Sequence, residues 1–198
     1  FMIFVCTNSL WAQNELTETE KLATTAKVWG FLKYYHPVVA DGKYNWDEEL
    51  FKILPKVKNS KNKEQLSQVY TEWIQQLGEI KICKKCSKNN DLAYFNKNFD
   101  LDWITHSDAL TPELSKKLKF IEANRHQGKK EYVSIAHKRV GNIQIENEIE
   151  YKDFDWKNED LRLLSLFRYW NIIEYFFPYK YQTDTSWNEV LHNMIPKF

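Results

Sequence analysis

Three sets of residues in this chain of 198 have types and spacings that could do chemistry. The first is Cys83 and Cys86, a CxxC run with Lys81, Lys84, Lys85 and Lys88 around it. Two thiols at that spacing make half of a tetrahedral zinc site. No second CxxC and no paired HxxxH follows, and His106, His126 and His137 are scattered, so no metal site is expected. A redox role wants the CxxC at the start of a helix that follows a strand, where the thiolate is stabilised. The lysines could lower a thiol pKa, yet they suit a solvated loop equally. A local disulfide between Cys83 and Cys86, or a pair of loop thiols, is the expectation. The second set is Ser134 with His137, three residues apart on one predicted strand and without a GxSxG elbow. That is no nucleophile–base pair. The third is Glu48 and Glu189, a tempting pair of carboxylates. Asn45-x-x-Glu48 and Ser186-x-x-Glu189 read as capping boxes, in which cap and Glu satisfy orphan N–H groups at a helix start. No catalytic residue and no cofactor-binding residue is therefore assigned.

Composition narrows the remaining classes. With 28 Lys and Arg against 27 Asp and Glu the net charge is +1, which removes the electrostatic case for a nucleic-acid partner. Aromatics are abundant (8 Trp, 11 Tyr, 12 Phe) beside only 5 Gly and 5 Pro. Phosphate-cradling loops and tight β-turns consume glycine, and none here falls in a GxGxxG or GxxxxGK spacing. A helical protein packed with rings is expected.

The elements that carry the rings are repeated. Shifted by 141 residues, positions 18–57 align with 159–198 without a gap, with ten identities. They include Trp29/Trp170, Trp46/Trp187, Tyr34/Tyr175, Pro37/Pro178 and Pro55/Pro196. Each copy reads as helix, break, helix. Leu22, Ala26, Trp29 and Leu32 recur at helical spacing, as do Leu163, Phe167, Trp170 and Ile173. Pro37 and Pro178 end those helices, because proline disfavours the α conformation of the residue before it. Trp29, Trp46, Trp170 and Trp187 read as core anchors of the repeat rather than ligand platforms. A third helix follows the first copy, from Asn62-x-x-Gln65 to Gly78, with Leu66, Val69, Tyr70, Trp73 and Leu77 on its face. Its counterpart in the second copy is expected past Phe198.

The fold expectation is mainly α, with two related helical units and a small β hairpin between them. Residues 14–78 form the first unit, 79–158 a connecting region, and 159–198 a second unit truncated at its end. The connecting region holds the CxxC loop, a helix from Thr111-Pro112-Glu113, a strand at Tyr132–Ile135 and another through Ile143, Ile145 and Ile149. Residues 1–13, an apolar run ending in Trp11-Ala12-Gln13, read as the remnant of a secretory signal peptide. The run is far short of the ~20 apolar residues of a membrane span. Val5 stands where lipoprotein signals carry a small residue, which argues against a lipidated Cys6.

Three stretches carry a resemblance: Lys27-Val-Trp-Gly-Phe-Leu-Lys-Tyr-Tyr-His-Pro37, Asp100-Leu-Asp-Trp-Ile104, and Leu163-Leu-Ser-Leu-Phe-Arg-Tyr-Trp-Asn-Ile-Ile-Glu-Tyr-Phe-Phe-Pro-Tyr179. They resemble the amino-terminal region of exported bacterial serine peptidases of the carboxy-terminal-processing, or tail-specific, protease family. The resemblance implies a helical leader followed by a peptidase core. That core uses a serine activated by a lysine, or by a serine–histidine–glutamate relay in some branches. No position here matches the catalytic motif. What the resemblance implies for this segment is a leader that packs on the core of the same chain or positions a protein or peptide substrate, in the periplasm, cell envelope or outside the cell. A free-standing helical module for a peptide or sugar chain is the alternative, and a CxxC oxidoreductase a third.

Overall fold

The structure, a computed structural model, describes residues 15–86, 99, 101–137 and 139–198. The reading of 1–13, including Cys6, lies outside them, as do residues 87–98 and Asp100. The fold is mainly helical with a two-stranded antiparallel hairpin between helices.

Helix α1, Glu18–Tyr35, starts at a reciprocal capping box of Thr17 and Glu20, which the sequence reading did not pick out. Sequence spacing predicts one apolar face; the structure buries nearly every side of α1, including Val28, Phe31 and Tyr34. A helix apolar all round is a central helix, and α1 is wrapped by neighbours from both units. It ends at His36, held extended ahead of Pro37, and a single turn, α2 (Pro37–Ala40), leads to α3. Helix α3, Trp46–Asn59, accommodates Pro55 inside it, and α4, Lys63–Gln76, packs against it. Gly78, with φ of +90°, takes the left-handed conformation that closes α4. The Asn45 and Ser186 side chains each accept the backbone N–H three residues on. Those bonds form the cap half of each expected box.

After α5 (Trp103–His106) and α6 (Pro112–Ala123), the chain returns over the first unit. His126 N–H donates to Tyr35 O at 2.8 Å, Glu131 N–H to Ala40 O at 2.9 Å, and the Tyr132 hydroxyl to Tyr44 O at 3.2 Å. Strands β1 (Val133–His137) and β2 (Asn142–Ile145) then pair, with Val133 opposite Ile145. The second strand is shorter than its isoleucine spacing predicts, and Ile149 is not in it. Asn147 adopts φ of +54°, turning the chain so that Glu148 enters an ion cluster.

Helices α7 (Glu159–Phe176) and α8 (Trp187–Met194) repeat α1 and α3. The two units pack through an approximate two-fold relation: α1 meets α7, α1 meets α8, and α3 meets α7. Tyr34 and Tyr175, equivalent in the repeat, lie 5.0 Å apart by ring centroid. One hydrophobic core runs through both units, so they form a single body. Equivalent cations also close equivalent ends. Lys21 Nζ donates to Lys58 O in the last turn of α3 and to Ser60 O just past it, and Arg162 Nε donates to Phe198 O.

Candidate functional site

Each unit is built on a reciprocal pair of indoles. Trp29 Nε1 donates to Trp46 O at 3.1 Å while Trp46 Nε1 donates to Trp29 O at 3.0 Å. In the second unit Trp170 Nε1 reaches Trp187 O at 2.8 Å and Trp187 Nε1 reaches Trp170 O at 3.0 Å. Two bonds per pair satisfy both buried donors and fix the angle between the helices. All four anchors therefore do the same structural task.

The remaining sequence candidates are not brought together. Glu48 and Glu189 are exposed at the heads of separate helices. Ser134 donates its hydroxyl to Glu146 at 2.5 Å, and His137 lies exposed at the far end of the same strand, opposite Asn142. Cys83 and Cys86 are bonded to each other, and the Cys83 N–H donates to Asn124 Oδ1 at 2.8 Å, holding this loop at the end of α6. His126 is bonded through both ring nitrogens to the carbonyls of Pro37 and Lys129, and His106 Nδ1 to that of Asp102. Among the described residues no group of three metal-binding side chains gathers.

The densest gathering of charge is one that sequence reading missed. Lys33, 1% exposed in the middle of the core, pairs with Glu148. Glu148 also lies 2.9 Å from Arg168 Nε, and Arg168 pairs with buried Asp47, which accepts the Tyr151 hydroxyl at 3.2 Å. Charges alternate along the chain Lys33–Glu148–Arg168–Asp47. The Lys33 ammonium stands 4.7 Å from the Trp29 ring centroid and 4.5 Å from that of Tyr132. Burial pushes its pKa down, against the upward pull of Glu148. Burial, with Asp47 adding to it, also raises the Tyr132 and Tyr151 hydroxyls to about 12. Every charge in the set has an opposite neighbour, and together they tie α1, α3, α7 and the segment after β2. The cluster is a clamp. The signal for it was available: Lys33 stands four residues after Trp29, on the apolar stripe itself.

What remains chemically open is the surface of the second unit. In the first unit the repeat is covered by α4 and by the return of residues 125–132. Trp46 stacks on Trp73 at 4.8 Å and 5° between planes, and Val28, His36 and Ala40 are buried. Their repeat equivalents are Trp187, half-buried, and Tyr169, Phe177 and Tyr181, all exposed. Tyr169 is 62% exposed and meets Trp187 edge-on at 6.3 Å. Phe177, Tyr179 and Tyr181 form a row of rings, 6.0 and 6.4 Å between successive centroids. The candidate functional site is this ring-rich surface. No helix among the described residues is long and apolar enough to cross a membrane. In comparison with known proteins, no family, no characterised protein and no solved structure matches the chain.

Proposed function

We propose that this chain is the helical leader of an exported serine peptidase of the carboxy-terminal-processing family, and that it works by docking rather than by catalysis. Acyl transfer then belongs to a peptidase core, against which the leader packs or for which it positions a protein substrate. One observation carries the docking reading. Equivalent surfaces of the repeat are covered in the first unit and open in the second, where they are lined by aromatic rings. Large apolar rings grouped on a rigid scaffold favour contact with another protein surface, because burying them releases ordered water without reorganising the scaffold. The peptidase assignment draws on the stretches 27–37, 100–104 and 163–179 in the sequence.

The test is the coding sequence downstream of Phe198 together with a protection experiment. Several hundred further codons holding a glycine-flanked serine and a later lysine support the peptidase reading; an early stop overturns it. Hydrogen exchange on the longer protein should protect Phe177–Gln182 relative to the chain of 198 residues. Equal exchange in the two overturns the docking reading.

The row Phe177, Tyr179 and Tyr181 favours one alternative, a free-standing module for a peptide or sugar chain. Titration with peptides and oligosaccharides, followed by tryptophan fluorescence, should then saturate. Absence of saturation removes that alternative.

A further inference from the structure

We infer that β2 is the pairing edge of a symmetric dimer, in which residues 142–146 lie antiparallel against the same segment of a second copy of this chain. The hairpin leaves one edge open. Its two strands pack chiefly on each other and not on the helices. The β1 side is built into the body at its base, where Glu131 N–H donates to Ala40 O and Val133 and Ser134 are half-buried. On the β2 side Asn142, Ile143 and Gln144 are exposed. Glu146 N–H donates to Tyr132 O at 3.1 Å, which makes Ser134 and Gln144 the next pair to exchange ladder bonds. The N–H and C=O of Ile143 and Ile145 therefore point away from β1, and among the described residues nothing meets them. Edge strands that stay single carry lysine, proline or a bulge. β2 has no lysine or proline, and the irregularity of the ladder lies in β1, between Ile135 and His137.

The occupant is a second copy because the segment complements itself. Reversed about Gln144, Asn142-Ile-Gln-Ile-Glu146 sets Ile143 against Ile145 of the second copy, Asn142 against its Glu146, and Gln144 against Gln144. A two-fold interface requires such a match, since each residue meets the one an equal distance beyond the axis. In this register the isoleucines exchange backbone bonds through the groups that β1 leaves free, and their side chains meet on one face. The two Gln144 side chains form the closer, non-bonded pair on the other face, where one amide donates to the other. The Asn142 amide has the Glu146 carboxylate of the second copy as acceptor. No like charges stand opposite each other. A slip of one residue would set isoleucine against the polar face, so the register is specified. The contact is small, which makes the dimer a weak one.

The interface uses none of the exposed rings of the second unit, so it stands or falls apart from the docking reading. Sedimentation velocity of the whole chain across roughly 5 to 500 µM should show monomer passing to dimer with a Kd of about 100 µM. Ile143→Pro removes only an outward N–H, leaves the ladder with β1 intact, and should weaken the dimer about tenfold or more. Ile135→Pro makes the same change on the β1 edge and should leave the dimer as it is. Gln144→Glu, on an exposed side chain, sets like charges together at the axis and should weaken the dimer about tenfold, as should Gln144→Lys. An equal mixture of those two variants should dimerise again, because each glutamate then faces a lysine. Native circular dichroism is checked for every variant. Four results overturn the inference: a monomer throughout the range, a dimer indifferent to both Ile143→Pro and Gln144→Glu, no recovery in the mixture, or a dimer that Tyr169→Glu dissolves while Gln144→Glu does not. The last would give self-association to the ring-rich surface.

Discussion

Gly30 of α1 and Asn171 of α7 occupy the same position of the repeat and meet where the two helices cross. A Cβ added to Gly30 would lie 1.8 Å from Asn171 Oδ1. The Asn171 amide meanwhile donates to Ala26 O and Phe167 O, both at 2.9 Å, so one side chain bridges both helices. The near-two-fold arrangement is thus broken at its centre: one copy supplies the gap and the other the group that fills it.

Gly30→Ala should therefore destabilise the chain by about 2 kcal/mol or more, since the side chain it meets is buried and bonded on both sides. Asn171→Ala alone loses those bonds. Combined, the two should cost less than their sum, because the methyl then enters the space that Asn171 vacates. Urea denaturation of the four proteins gives the coupling; strict additivity would show that the crossing is not tight.

The indole pairs predict unequal losses from equal changes. Trp46→Phe removes one donor and trims a fully buried stack on Trp73, and should cost roughly 2 kcal/mol. Trp187→Phe removes the equivalent donor from a half-buried ring, and should cost under about 1 kcal/mol. Thermal melts of the two variants check the order. Equal losses would mean that α4 contributes little to holding its unit.

The repeat, its caps and both proline breaks could be read from residue types alone, because each depends on local geometry within a few positions. The pairing of the units could not. It depends on Gly30 and Asn171, and nothing local marks these as partners across 141 residues. Of the ion cluster only Lys33, on the apolar stripe four residues after Trp29, was marked in the sequence; its partners were not. Lys33 and Arg168 each sit beside apolar residues that explain their helices without them, and Glu148 reaches them only because Asn147 turns the end of β2. The ring-rich surface was visible as composition but not as surface. Tryptophan content alone does not separate Trp46, which is covered, from Trp187, which is not.

That cluster should respond asymmetrically to neutralisation. Glu148→Gln strands a buried ammonium and should destabilise by roughly 3–5 kcal/mol. Lys33→Met removes the charge, keeps the apolar stem against Trp29 and Tyr132, and leaves Glu148 paired with Arg168. Its cost should be clearly smaller. Chemical denaturation at pH 7 measures both. A larger loss for Lys33→Met would show that the ammonium is held by the rings more than by Glu148.

His36 gives the protein an acid limit. Its ring is fully buried at the end of α1, and among the described residues neither nitrogen has a hydrogen-bond partner. Burial pushes its pKa down to about 4, from about 6.5 in an unfolded chain. The neutral ring is the one the fold accepts, so its contribution is complete above pH 6.5. Below that the unfolded chain takes up the proton first. Stability then falls with pH until the folded ring also protonates near pH 4, by about 3 kcal/mol in all. The second unit carries phenylalanine at the equivalent position, Phe177, so the repeat itself supplies a control without a titrating ring. His36→Phe should flatten most of the stability profile between pH 6.5 and 4, leaving the slope due to carboxylates and to His192, whose pKa burial also lowers. Urea midpoints taken at half-unit pH steps for both proteins would show it. Parallel curves across that window would mean that the ring is solvated and protonates freely in the folded state.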